Sequence, residues 1–461
     1  MRPASVLPAA VRRPESDRRI GSEWLVELLA NNASSSYLRS YGSPLTLDAF
    51  RAQVPMCDYE KLVPWIRRVT DGESDVLFQG RPCAYERTGG SAGGSKLIPY
   101  SAAGVADFRR AVSPWLAATL ERHAVTGTVY FAISPVARAA ERIGDVSVGL
   151  PDAAYLDEAT GRFLIAKSAV PFSVAEIADV ATWRKETLLH LTNSSALELI
   201  SVWSPTFLLS LLEGQDDIAA AWPRLKVISC WADGSSSAYA AELSARFPGV
   251  AIEPKGLIST EAVVTVPNQD CQPELVANGF YEFLRDGNAL LAHELEPGGE
   301  YEVVVTTASG LYRYRSGDVV RCRGYAASGR PILGFVGRSG LHCDLVGEKL
   351  SESFVATALA SLSGFSMLIP DARKRAYVLV REHETSPEDL DRLDIALCRN
   401  PQYAYARSLA QLSPPRLLKV PRALETYERT LVKRGARLGD IKPTALRPEP
   451  IWLDVFEREC R

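Results

Sequence analysis

No run of eighteen or more apolar residues occurs anywhere in the chain, so no hydrophobic membrane-spanning helix is predicted. The basic start MRPASVLPAAVRRPESDRR has too short an apolar stretch for a signal segment, and Pro8 interrupts it. No C-x-x-C pair occurs among the eight cysteines (Cys57, Cys83, Cys230, Cys271, Cys322, Cys343, Cys398 and Cys460). That argues against a zinc ribbon and against a disulfide-stapled secreted domain, and makes a reducing cytoplasm the expected location. None of the five histidines stands four residues from another, so a histidine-based metal centre is not expected. A net charge of −3 offers no electrostatic footprint for nucleic acid or for an anionic membrane. Internal repeats and low-complexity tracts are absent as well.

What is present is the balance of an ordinary globular protein, with 46% apolar and 23% charged residues. At 461 residues the chain exceeds what one core usually holds, so two or more lobes are expected. Residues 1–22 are rich in Arg and Pro without periodicity and predict a frayed start. Ser101–His123 carries Val105, Phe108, Val112, Trp115, Leu116 and Leu120 at helical spacing, an amphipathic helix. Short apolar runs at 128–134, 197–203 and 225–232 alternate with helical character near 172–191, 206–213 and 236–246. This predicts an α/β lobe with a largely parallel sheet.

After about Asn278 the texture changes. Residues 279–284, 301–307, 311–315, 318–325 and 332–337 read as short strands joined by glycine turns, a meander or small barrel. Helical patterns return at 352–362 and 387–398, around a strand-like 377–380. The boundary is placed at Arg338–Ser339, giving a large unit over 23–338 and a small one over 339–461.

Four groups of residues could carry chemistry. Thr88–Lys96, TGGSAGGSK, puts four glycines, three hydroxyls and a lysine into one loop. Glycine lets a backbone approach a polyphosphate, and hydroxyls, amides and the ammonium offset its charge. A Walker A loop is rejected: Ser95 follows Gly94 where lysine is required, and Lys96 stands where the magnesium hydroxyl should be. Read alone, the segment could equally be a flexible Gly/Ser loop. Ser259–Thr260–Glu261 offers a carboxylate beside two hydroxyls, suited to Mg²⁺ on phosphate oxygens, though a capped helix start reads the same way. Gly310–Asp318, GLYRYRSGD, ends on an Asp able to accept both hydroxyls of a ribose, with Arg338 following in FVGR; alone, SGD is an ordinary turn. Lysine is scarce, 11 residues against 41 arginines, and five stand beyond Arg338: Lys349, Lys374, Lys419, Lys433 and Lys442. Sequence logic leaves the choice among the five open.

Their order is more specific than any one of them. Together with VPMCDYEKLVPWI (54–66), YFAISP (130–135), ISVWSPTFL (200–208), SCWADG (229–234) and KGLISTEAVV (255–264), the chain resembles the adenylate-forming superfamily. Within it the resemblance is to the auxin-responsive acyl acid amido synthetase family and its bacterial members, from about Phe50 to Leu446. The resemblance implies an α/β fold with a large N-terminal adenylation domain, a β-rich subdomain and a small mobile C-terminal α+β lid. It further implies that Thr88, Gly89, Gly90, Ser91, Ala92, Gly93 and Lys96 wrap the β/γ-phosphates. Ser259, Thr260 and Glu261 would face the α-phosphate, with Glu261 on Mg²⁺. Asp318 would bind the ribose and Arg338 would sit at the hinge, touching the nucleotide. Lys442 would be the inserted lysine of the adenylating state; Lys442, Glu261 and Lys96 are the expected catalytic groups. Two departures stand out: Leu257–Ile258 replaces the usual residue that stacks on adenine, and Gly94 replaces a polar one.

The function so implied is ATP- and Mg²⁺-dependent activation of a small carboxylic acid as its acyl-AMP, then transfer to an amine, typically of an amino acid. An acyl-CoA ligase and a non-catalytic ligand-binding relative are the alternatives. A monomer or weak homo-oligomer, without nucleic-acid or membrane partners, is expected. His123, His190, His293 and His342 are unranked candidates for the base of the transfer step. Trp203, Trp231, Phe131 and Tyr130 lean toward an aromatic or planar acid, although large aromatics are as often core residues.

Overall fold

The computed structural model describes residues 21–88, 96–131, 141–150, 155–177, 179–215, 217–436 and 438–460. Of the segment expected to fray, residues 1–20 lie outside this range, and Ser22 already opens the helix Ser22–Asn32.

The amphipathic helix runs Ala102–Arg122. It starts where it does because Ser101 accepts the Gly104 amide at 2.9 Å while donating to the Ala308 carbonyl at 2.7 Å. Its apolar stripe buries Val105, Val112, Trp115 and Leu116. Behind it lies a four-stranded parallel sheet in chain order, Thr128–Phe131, Leu197–Ser201, Val227–Cys230 and Ala251–Pro254. LELIS and VISC are buried at every position, as strands covered on both faces must be. All four strands end on one edge, where open α/β sheets present their ligand sites.

The β-rich region is a seven-stranded antiparallel sheet, open and not closed into a barrel. The piece at 318–325 and the last two residues of the piece at 311–315 belong to one long strand, Tyr314–Tyr325, and 311–313 form no strand. Gly317, at φ +79°, makes a bulge in place of the expected turn, and pairing steps from Val304–Arg315 to Glu302–Val319 across it. A four-stranded mixed sheet also forms from Leu97–Tyr100, Ala84–Arg87, Val146–Val148 and Glu141–Ile143. Its members were too short to stand out as periodic.

Beyond Arg338, where the strand Pro331–Arg338 ends, a three-stranded sheet of Ser366–Asp371, Ala376–Arg381 and Arg416–Lys419 carries an apolar cluster on each face. One gathers Val355, Leu393 and Leu397, the other Phe365, Tyr427 and Trp452.

One buried ion pair ties the N-terminal helices to the large sheet. Arg313, 7% exposed, directs Nε and Nη2 to the two carboxylate oxygens of Glu282 at 2.7 and 2.9 Å. Its Nη1 donates to the carbonyls of Arg51 and Val54 at 2.7 and 2.8 Å. Cys57 then hydrogen-bonds both ways with the backbone of Arg313 and Arg315. The VPMC and LYRYR blocks are therefore partners in packing. Arg51 Nε also reaches Glu282 Oε1 at 3.0 Å, so removing Arg313 leaves the buried carboxylate with that half-buried partner alone, at a cost of about 3 kcal/mol, the low end for a broken buried pair. Arg313→Met should lower the unfolding free energy read from chemical denaturation by that amount, and adding Glu282→Leu should restore much of the loss. A double variant as unstable as the sum of the singles would refute the assignment.

Candidate functional site

A cavity of about 550 Å³ opens at the strand-end edge of the parallel sheet. Its wall is shared by the helix 102–122, the turn at 258–261, the bulge at Ser316–Gly317 and the C-terminal segment 440–444.

Thr88 and Lys96 form the neck of the glycine loop. The Lys96 amide donates to Thr88 Oγ1 at 3.1 Å, and the Thr88 amide to the Lys96 carbonyl at 2.9 Å. Gly89, Gly90, Ser91, Ala92 and Gly93 lie outside the described residues. The Lys96 ammonium reaches the Tyr314 hydroxyl at 2.9 Å and stands over the rings of Tyr59 and Tyr314.

Ser259–Thr260–Glu261 does not begin a helix. The Ser259 amide donates to the Ala262 carbonyl at 2.9 Å, and Ser259 Oγ accepts the Ala262 amide at 3.3 Å. Ile258 and Val263 bridge behind the turn, and the Tyr100 hydroxyl holds the Thr260 carbonyl. All three residues face the cavity on a tight, doubly tied loop.

Asp318 and Arg338, twenty residues apart in sequence, are cross-strand neighbours. Arg338 Nε donates to Asp318 Oδ1 at 3.2 Å, and the Asp318 amide is fixed by Ser316 Oγ at 3.1 Å. Arg338 forms the cavity surface while Asp318, 3% exposed, lies behind it. The Asp318 charge holds Arg338 above the usual guanidinium range against the opposing effect of burial, and Glu261 adds to it.

Among the five late lysines, Lys349, Lys374, Lys419 and Lys433 are exposed, and Lys442 alone lines the cavity. Its ammonium stands 4.1 Å from the Trp231 ring centre and 5.8 Å from that of Phe335. Burial pulls it down to about 8; Asp318 and Glu261 act against that and Arg338 with it. The segment is sutured from behind. Glu352 Oε1 accepts the Ala445 amide at 3.2 Å, the Leu368 amide donates to the Ala445 carbonyl at 2.7 Å, and Tyr427 bonds the Lys442 carbonyl at 3.1 Å.

The supporting carboxylates escaped the sequence reading. Glu348, fully buried, accepts the amides of Leu345 and Val346 at 2.8 Å and the Tyr377 hydroxyl, so the stretch DLVGE (344–348) is a turn clamp. Asp233 of SCWADG accepts from Arg323 at 2.6 Å and from the Phe335 amide at 3.3 Å, joining the parallel sheet to the large one.

Phe131, Trp203 and Trp231 are on the wall, whereas Tyr130 is wholly buried in the sheet core. Ile258 reaches the cavity and Leu257 is packed beneath it. None of His123, His190, His293 and His342 lines the cavity; His123 is engaged with Glu253 at 3.0 Å. Among the described residues no group of three or more His, Cys, Asp and Glu could hold a metal, leaving Glu261 as the carboxylate that faces the site from the turn. No helix in the same range is long and apolar enough to cross a membrane.

Comparison with known proteins places these residues in context. Residues 15–216 match the GH3 family N-terminal domain and residues 274–338 the GH3 family central domain. The probable indole-3-acetic acid-amido synthetase GH3.1 of Oryza sativa subsp. japonica is 24% identical, over 93% of this chain and 87% of its own. The solved AtGH3.15 acyl acid amido synthetase in complex with 2,4-DB superposes with a TM-score of 0.83 at 18% identity, covering 96% of this chain and 94% of that one. A 2-hydroxyisobutyryl-CoA ligase in its postadenylation state superposes at 0.62 and 13% identity, covering 99% and 96%. The fold is therefore that of the adenylate-forming enzymes, a large N-terminal and a smaller C-terminal domain.

Lys442 is charged below about pH 8 and neutral above it. If its charge meets the incoming triphosphate, kcat/KM for ATP at saturating acid should fall as pH rises through about 8, since that ratio reports the free enzyme. Lys442→Arg keeps its charge throughout and should lose the fall, even at a lower absolute rate. An unchanged profile in Lys442→Arg would assign the titration elsewhere.

Proposed function

The chain belongs to the GH3 family, and on that premise we propose that it is an AMP-forming acid–amine ligase, acting on a small carboxylic acid and an amine, in first place that of an amino acid. The observation that carries the reading is the convergence of Thr260, Glu261, Arg338 and Lys442 on one cavity from three separate parts of the chain. The relatives named as indole-3-acetic acid-amido synthetases agree with it.

Two half-reactions follow. The carboxylate oxygen attacks the α-phosphorus, the bond to the β-phosphate oxygen breaks, and pyrophosphate leaves. The amine nitrogen then attacks the acyl carbonyl, loses a proton and expels AMP. In the first step Lys442 and Arg338 supply fixed positive charge where negative charge builds, in a site that their partners already hold in shape. We assign the ribose end to Arg338, which Asp318 holds from behind, and the β/γ-phosphates to the loop between Thr88 and Lys96. Glu261, one carboxylate beside a threonine, suits Mg²⁺, which takes few protein ligands and completes its shell with phosphate and water. That ion would offset charge on the phosphates.

The residues from 339 onward serve in this reading as the lid that carries Lys442. Burial pushes the Glu428 carboxyl up to about 8 where it meets Thr206 and Ser210 of the larger unit, so closure is made with a largely neutral side chain. We place the enzyme in the cytoplasm as a monomer or weak homo-oligomer, in keeping with eight cysteines that are all unpaired.

Acid-dependent exchange of labelled pyrophosphate into ATP tests the first half-reaction, and product analysis with amino acids against coenzyme A tests the second. Amide without thioester is expected; thioester alone would make the protein an acyl-CoA ligase, and no exchange with any acid would end the enzymatic reading. Lys442→Ala should depress exchange by about 10²-fold, as loss of other preorganised charge-stabilising groups does. It should leave aminolysis of pre-made acyl-AMP near the wild-type rate. Asp318→Asn should raise the KM for ATP by roughly tenfold or more, the scale of one charged hydrogen bond, without moving the KM for the acid. Equal effects on both substrates would remove Asp318 from the nucleotide end.

A further inference from the structure

The apolar end of the cavity contains a charge that the adenylation chemistry does not use. Lys255 follows the last strand of the parallel sheet and is 4% exposed. Its amide is tied to the Cys230 carbonyl at 3.0 Å, and Gly256, at φ +77°, turns the chain away immediately afterwards. A Cβ on Gly256 would meet the Thr265 carbonyl at 2.5 Å, so the turn is built for glycine. The Lys255 ammonium donates to Ser201 Oγ at 2.6 Å and stands over the rings of Trp203 and Trp115 at 4.9 and 5.0 Å.

Among the described residues no carboxylate comes within ion-pair distance of Lys255. Glu253, two residues back, is occupied by Arg122 at 2.7 Å, His123 at 3.0 Å, Trp115 at 3.1 Å and Thr119. Val112, Leu116, Phe131, Leu164 and Phe172 make the rest of this end apolar. A buried ammonium without a counter-ion is costly, and proteins keep such charges where a partner arrives. Hydroxyl and indole faces soften that cost without neutralising it.

Trp203 and Trp231 lie 5.9 Å apart, centre to centre, with Lys255 on the first and Lys442 on the second. A molecule lying along the two indoles would thus have one cation at each end. Resting on the reading of this site as an adenylating one, we infer that the acid substrate carries a second anionic oxygen group, a distal carboxylate, which pairs with Lys255 and Ser201 while its reactive carboxylate lies toward Thr260 and Lys442. Lys255 is then a specificity-determining residue that selects diacids over monoacids of the same length. Burial holds Lys255 down at about 8, so it is protonated at neutral pH and an arriving anion stabilises that form.

The test uses matched pairs in the pyrophosphate-exchange assay, terephthalate against p-toluate and suberate against nonanoate. In the wild type the diacid of at least one pair should be preferred by roughly tenfold to a hundredfold in kcat/KM, the effect of one charge-assisted hydrogen bond. Lys255→Met should abolish that preference and leave the KM for ATP unchanged, and Ser201→Ala should reduce it by a smaller factor. A wild-type preference for the monoacids would overturn the inference. So would a Lys255→Met variant that slows all four acids alike, or one whose change appears only in the KM for the amino acid acceptor. These outcomes would leave the ligase reading standing. Failure of all four acids while another monoacid supports exchange would overturn the inference alone; absence of exchange with any acid would end the ligase reading with it.

Discussion

An ammonium and a guanidinium placed in one partly enclosed cavity repel each other, and the site exists because that repulsion is offset from the opposite side. Lys442 and Arg338 are both drawn toward Asp318 and Glu261, and the face of Trp231 receives the ammonium where water has been displaced. The arrangement is poised for a polyanion: a triphosphate would relieve the repulsion between the cations.

Much of the remaining polar framework keeps these groups in place. Arg313 and Glu282 lock the N-terminal helices to the sheet that bears Asp318 and Arg338. Glu352 and Tyr427 support the segment that delivers Lys442, and Asp233 joins the two sheets whose edges form the walls. Several long sequence blocks that look functional owe their composition to these packing duties. A buried carboxylate or guanidinium must have every partner supplied, so it constrains its neighbours as tightly as catalysis would.

The apolar end of the cavity follows a different logic. Aromatic and aliphatic side chains supply area and shape there, and Lys255 with Ser201 supplies one polar point in an otherwise dry wall. Pockets of this kind draw affinity from the apolar surface and orientation from the few polar groups.

The sequence by itself determined the helix 102–122, the parallel strands and the change to β texture near Asn278, because hydrophobic period and turn residues are local signals. It also supplied Glu261, Asp318 and Arg338 as candidates through the order of their motifs. The bulge at Gly317 was read as a turn, since one residue cannot reveal whether its strand re-pairs beyond it. Which of five lysines enters the cavity, that Asp318 and Arg338 face each other, and that Tyr130 is core while Trp203 and Trp231 are wall were decided by the tertiary structure. So was the placing of all four candidate histidines away from the cavity. Each of these depends on contacts between residues tens to hundreds of positions apart, where burial and a counter-charge, and not residue type, set the role of a side chain.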